Sequence, residues 1–280
     1  MPEQLKRYYI VKEHPMRIIS KCKVHSRGTL ASFLLGFCVL YAVANWVPQV
    51  LALYFPATNI DLLSQYSNVD PAELSKLPAT PLVVFFYLML FNGVFRLSEC
   101  LYALTYIRNR VVDYRALGES LSYYLKAFGL FLVQTLVVSF WTMFFIVPGV
   151  LAALNFAQTF YIFADDPDKS ITDILAESKM MMYGNRMNYV RLILCYIPYM
   201  MLAYIPAFLF ANIAASAAVS KIGVMLISMA ADIPMFAVFG FICLGRTVFY
   251  ELIINKGFAD FRYAGQEAFR ELEQPEKQNY

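Results

Sequence analysis

Arg96 and Glu99 stand three residues apart in an otherwise apolar stretch, a spacing that puts both on one face of a helix. Charges buried there can neutralise one another or line a path for a charged solute. The expected reading is a structural ion pair near the inner membrane boundary; if the span continues to Ile107, the pair sits deeper, where a transport path would run. Asp165, Asp166 and Asp168 bracket Pro167 and offer oxygen atoms of the kind that bind a hard cation. Acids at a helix exit and ahead of a helix start are the commoner reason for such a cluster. Cys22 and His25 have the spacing of half a zinc site, but the only other histidine is His14 and no second Cys/His pair exists. A solvated basic leader is the expected state of that segment. No His-Glu-x-x-His, Gly-x-Ser-x-Gly or Gly-x-x-x-x-Gly-Lys pattern occurs. No catalytic set, cofactor or metal is expected, and the chain reads as a non-enzyme.

The elements that must carry these residues follow from composition. Of 280 residues, 60% are hydrophobic and only 15% charged, beyond the range of a soluble domain. Windows of about 20 apolar residues cross about 30 Å of hydrocarbon. Six fit: about 29–54, 81–107, 127–147, 150–164, 189–210 and 234–254, the last starting somewhere between Ile222 and Pro234. The apolar run after Thr29 passes the small residues Ala42 and Ala44 and continues to Phe55, so an uncleaved span is expected rather than a signal peptide. The fold class is therefore all-α, a polytopic membrane bundle of residues 29–254. A basic cytoplasmic segment (1–28) precedes it and a cytoplasmic tail (255–280) follows. With the N-terminus inside, twenty of the 23 Lys and Arg residues fall on the inner side, Arg246 counted with the closing segment. Only Lys76 and Lys221 fall outside, and Arg96 lies within a span. The positive balance is a topology signal and implies no nucleic acid. None of the five cysteines falls in an outer loop, so no disulfide framework is implied. In the outer loop, 55–80, Asp70-Pro71-Ala72-Glu73 has the form of a helix start.

Pro148-Gly149 has the order of a type II turn, and it separates two runs too long to be one crossing. The returning helix has about 15 residues from Val150, roughly 22 Å, which predicts a turn sunk into the outer leaflet or a thinned bilayer. Beyond Pro167, Ser170 and Asp173 resemble a capping box. Ile171, Ile174, Leu175, Ser178, Met181 and Met182 then share one helical face, and Gly184 supplies a stop. This predicts an amphipathic helix over 170–183 on the cytoplasmic face, between spans four and five. Asn45, Asn92, Gln134, Asn155, Gln158, Asn212 and Asp232 are polar residues within spans, and either line a cavity or bond helix to helix.

The run "IVPGVLAALNFAQTFYIFADDP" followed by "SITDILAESKMMMYGNR" resembles the signature of a family of bacterial multi-spanning proteins, mostly from Firmicutes, called domain of unknown function nine-seven-five. The matching positions are Pro148, Gly149, Tyr161, Asp165, Pro167, Glu177, Ser178, Lys179, Met182, Gly184, Asn185 and Arg186. The ending "TVFYELI" is also similar to the close of the family's last span, whereas "SMAADIPMFAV" departs from it. The resemblance implies an architecture and location in a bacterial cytoplasmic membrane, without a reaction. Two functions fit. One is an accessory, envelope-stress or immunity-type protein acting through helix packing and cytoplasmic contacts, with the lipid bilayer and a membrane-protein partner or a second copy of the chain around it. The other is a transporter or permeability pathway for a small or amphipathic molecule.

Overall fold

In the computed structural model, the described residues are Tyr8, Ile10, Val11, 13–55, 81–216 and 220–254. They form helices and, among them, no strand: α1 (Pro15–His25), α2 (Leu30–Tyr54), α3 (Leu82–Asn109), α4 (Arg115–Glu119), α5 (Tyr124–Phe144), α6 (Ile146–Asn155), α7 (Thr159–Asp165), α8 (Ile171–Met182), α9 (Arg186–Ser216) and α10 (Lys221–Ile254). Six stretches are long and apolar enough to cross a membrane: Leu30–Tyr54, Leu82–Asn109, Arg115–Phe144, Ile146–Asp165, Arg186–Phe210 and Ile222–Ile254. The expected all-α polytopic bundle is what the chain forms. The helix expected after Asp70 lies outside the described residues.

Burial is concentrated at one end of the bundle. There Phe33 of α2 stacks on Tyr102 and Tyr106 of α3, with ring centroids 5.0 and 4.5 Å apart. The Tyr102 hydroxyl donates to the Phe33 carbonyl at 3.0 Å, so the ring is buried without stranding its polar tip. Phe163, Tyr196 and Phe249 complete the same core. Toward the other end the helices expose Val47 and Tyr54 of α2, Phe140 and Met143 of α5, and Met201 and Phe208 of α9. A membrane-spanning helix satisfies its backbone internally and can leave such side chains against lipid.

Three features depart from the sequence reading. From Pro15 to His25 the segment before Gly28 is not a solvated leader: α1 buries Ile18, Ile19 and Cys22, and packs on α9 and α10. Burial pushes the Cys22 thiol up to about 12, the reverse of what a zinc thiolate needs. Burial and the nearby Arg110 charge hold His25 below its ordinary 6.5.

The chain reverses at Phe145, whose φ −155° and ψ 146° are extended, rather than in a type II turn at Pro148-Gly149. Pro148 lies in the first turn of α6, where its missing N–H costs nothing. At Gly149 a Cβ would sit 2.8 Å from the Cα of Thr142, so glycine lets α5 and α6 close the hairpin. The return therefore starts at Ile146, and Ile146–Asp165 is, at 20 residues, long and apolar enough to cross the hydrocarbon.

That return is broken, α6 ending at Asn155 and α7 starting at Thr159. The last span, α10, begins at Lys221 and carries Pro234 inside it, at the early limit of the range expected for its start.

Candidate functional site

The break between α6 and α7 collects four of the polar residues singled out by sequence. Ser178 of α8 donates to the Asn155 carbonyl at 2.7 Å and accepts from the Gln158 N–H at 3.3 Å. Gln134 of α5 donates to the Phe156 carbonyl at 3.4 Å and accepts from the Thr159 hydroxyl at 2.8 Å. Backbone groups freed by the break are thus re-satisfied by side chains, as irregular chain among apolar helices requires. Gln158 is fully buried and its amide nitrogen lies 3.8 Å from the Met182 sulfur. The Asn155 and Gln158 side-chain oxygens are buried without a hydrogen-bond partner.

The α8 helix forms where expected, with the Ser170 hydroxyl accepting from the Asp173 N–H at 3.2 Å. Its apolar face does not lie open to lipid: Ile174, Met181 and Met182 are buried, and α8 packs on α5, α6 and α7. Gly184 has φ +82°, the left-handed conformation that ends the helix at little cost to glycine. Asn185, nearly fully buried, donates to the Met181 carbonyl and accepts from the Val11 N–H, each at 2.9 Å. Asn188 donates to the Val11 carbonyl at 2.6 Å, and the Tyr8 hydroxyl donates to Glu177 at 2.6 Å. Glu177 also holds Lys169 at 2.8 Å, while Lys179 is exposed and the Arg186 Nε is buried without a partner. Glu177, Asn185 and Asn188 therefore strap the N-terminal segment across the α8–α9 junction.

Asp165 does not gather a cation with its acidic neighbours. It pairs with Arg108 of α3 at 2.5 Å and accepts from the Tyr250 hydroxyl at 2.8 Å. Arg108 also meets Glu251 of α10 at 2.7 Å, so one guanidinium ties α3, α7 and α10 together. Lys126 donates to the Pro167 carbonyl. Among the described residues no three His, Cys, Asp or Glu side chains form a metal-holding group. Asp232, at the splayed end, accepts from Gln49 of α2 at 3.1 Å and is a helix-to-helix bond.

The charges that lie well inside the apolar runs rather than at their ends are Arg96, Glu99 and Arg246. By helical rise Glu99 lies about 14 Å along α3 from Arg108. The expected ion pair is not formed: among the described residues no ion pair within 4.0 Å involves Arg96, Glu99 or Arg246. The charges acting on Glu99 are those of Arg246 of α10 and, from its own helix, Arg96, with Tyr41 of α2 nearby. Its backbone carbonyl accepts from Cys243 at 3.8 Å. The Arg246 guanidinium lies 5.8 Å from the Tyr161 ring centroid, and its Nε is buried without a hydrogen-bond partner. Tyr161 is fully buried, its hydroxyl accepting from Thr247 at 3.3 Å. Arg96 lies midway along the 28-residue α3 and is exposed, although it shares the face of Glu99 and the fully buried Ala103. Arg246 is thus an interior residue of α10 and no part of a closing segment. Arg108, Arg246, Glu251, Asn188 and Tyr8 were not anticipated; an arginine eight residues inside the last apolar run was the available signal.

Among the described residues the main helix contacts run α9 on α10, α10 on α2 and α3, α2 on α3, α3 on α5 and α5 on α6. No comparable packing joins α6 to α9 among the described residues. No protein-family model matches the chain, and no curated protein or solved structure matches it.

Proposed function

We propose that this is a non-enzymatic, multi-pass protein of a bacterial cytoplasmic membrane, with both termini and α8 on the cytoplasmic side. In this reading the packed end is a platform for cytoplasmic contacts, and the open end holds a polar cleft that receives a ligand from the membrane or the outside. The family resemblance around 146–186 supports the bacterial membrane assignment, and the distribution of Lys and Arg supports the orientation. The observation that carries the cleft is Arg96: mid-helix, on the face it shares with Glu99 and the buried Ala103, and yet exposed. An arginine buried against neighbouring helices would need a direct carboxylate partner, and one facing lipid would carry a large penalty.

The second reading, a pathway for a small or amphipathic molecule, is favoured by the break at 156–158, because discontinuous spans bring unpaired polar groups to mid-bundle. Both readings are tested at position 96. In a cysteine-free background, Arg96→Cys should react with a water-soluble, membrane-impermeant thiol reagent in intact cells, while Leu97→Cys, at a buried position, should not. Equal inertness of both cysteines would remove the cleft.

A further inference from the structure

At the α8–α9 junction two packed groups of helices meet: α8 rests on α5, α6 and α7, whereas α9 rests on α10 and α1. The chain turns between them at Gly184, in the left-handed conformation. Three residues ahead of α1 lie across that turn. The Tyr8 hydroxyl donates to Glu177 of α8 at 2.6 Å. Ile10 sits against Gly184, where a Cβ would come within 3.3 Å of the Ile10 Cδ1. Val11 donates its N–H to Asn185 at 2.9 Å, and its carbonyl accepts from Asn188 of α9 at 2.6 Å. Val11 is only 1% exposed, so its backbone groups have exchanged water for two asparagine side chains. Tyr8 is half-buried and Ile10 exposed, and water can replace the bonds of such residues when they lift away.

The other side of the same helical turn faces the interior. Ser178, next to Glu177 and fully buried, donates to the Asn155 carbonyl at 2.7 Å and accepts from the Gln158 N–H at 3.3 Å. One turn of α8 therefore carries the N-terminal contact and the hydrogen bonds that sustain the α6–α7 break. A helix moves as a rigid element, so displacing one of these contacts displaces the other.

We propose that the N-terminal segment is a releasable clasp, coupled through α8 to the break between α6 and α7. Engaged, it fixes the turn at Gly184 and keeps Ser178 in place on Asn155 and Gln158. Lifted, it frees α8 to swing at Gly184, and the break loses the bonds that stand in for a continuous helix. An event at the N-terminal segment thereby reaches the inside of the bundle. The clasp is independent of the cleft at Arg96, and the orientation above decides only the side of the membrane from which it is operated.

Hydrogen exchange read by mass spectrometry on the full chain in neutral detergent tests this. Combining Tyr8→Phe with Asn188→Ala removes two clasp bonds at half-buried positions and should speed exchange about tenfold over both 174–190 and 152–160, leaving α2 unchanged. Coupling is reciprocal, so Ser178→Ala should in turn speed exchange of the Val11 N–H. Faster exchange over 174–190 alone would reduce the clasp to a local tie and overturn the coupling, as would an unchanged Val11 in Ser178→Ala. No change in either segment overturns the clasp itself, and an equal rise in α2 would replace it with a general loosening of the bundle.

Discussion

Glu99 would be a liability among apolar helices were Arg246 not opposite it. The two belong to α3 and α10, and their mutual attraction is stronger for being screened by side chains rather than by water. Removing one partner should leave a poorly solvated charge, a cost of up to about 3–5 kcal/mol for a close buried pair and less here because no direct contact joins them. We therefore expect Glu99→Ala and Arg246→Ala each to lower the thermal midpoint in detergent by more than the double variant does. Arg96→Ala should change it little, since its guanidinium is exposed. Additive losses for Glu99 and Arg246 would mean that the two charges do not compensate. The sequence spacing correctly places Arg96 and Glu99 on one face, because helical geometry is local. It suggests the wrong partner for Glu99, because the right one comes from a distant helix and no spacing rule spans that gap.

At the scale of elements the same contrast decides what can be read. Six spans are legible because lipid forces each crossing to be about 20 apolar residues long, and α8 is legible because its cap, apolar face and stop are all local signals. The break between α6 and α7 is not, since Phe156-Ala157-Gln158 contains neither proline nor glycine. What holds it open is tertiary: Ser178 and Gln134 supply the hydrogen bonds that a continuous helix would have made for itself. The N-terminal strap is hidden for the same reason, as Asn185 and Asn188 bind the backbone of Val11 rather than any recognisable side chain.

The roles of the two serines on α8 then separate cleanly. Ser178→Ala removes the donor to Asn155 and the acceptor for Gln158, leaving buried backbone groups at about 1–3 kcal/mol each. Ser170→Ala removes an exposed helix cap worth about 1 kcal/mol. In thermal unfolding the first should cost clearly more than the second, and equal costs would show that the break does not depend on α8.

The whole molecule is asymmetric along its long axis, and the asymmetry couples packing to charge. At the packed end lie α1 and α8, the aromatic core of α2 and α3, and the link from Arg108 to Asp165 and Glu251. Lys126, Lys169, Arg186 and the cations of α1 belong to the same end, whereas the splayed ends of α2, α5 and α9 are apolar. Cationic segments resist translocation, so the packed end should stay in the cytoplasm and the splayed end should face out. Inverting the protein would carry all of those cations across the bilayer and would turn the splayed end of the bundle to the cell interior. In intact cells a membrane-impermeant thiol reagent should therefore label a cysteine at Ser67, in the segment joining α2 to α3, and spare one at the Ser170 cap until the membrane is permeabilised. The native cysteines must first be removed; Cys22, Cys100 and Cys243 are buried, so small apolar replacements should be tolerated. Labelling at Ser170 without labelling at Ser67 would reverse the orientation, and with it the side from which any ligand reaches Arg96.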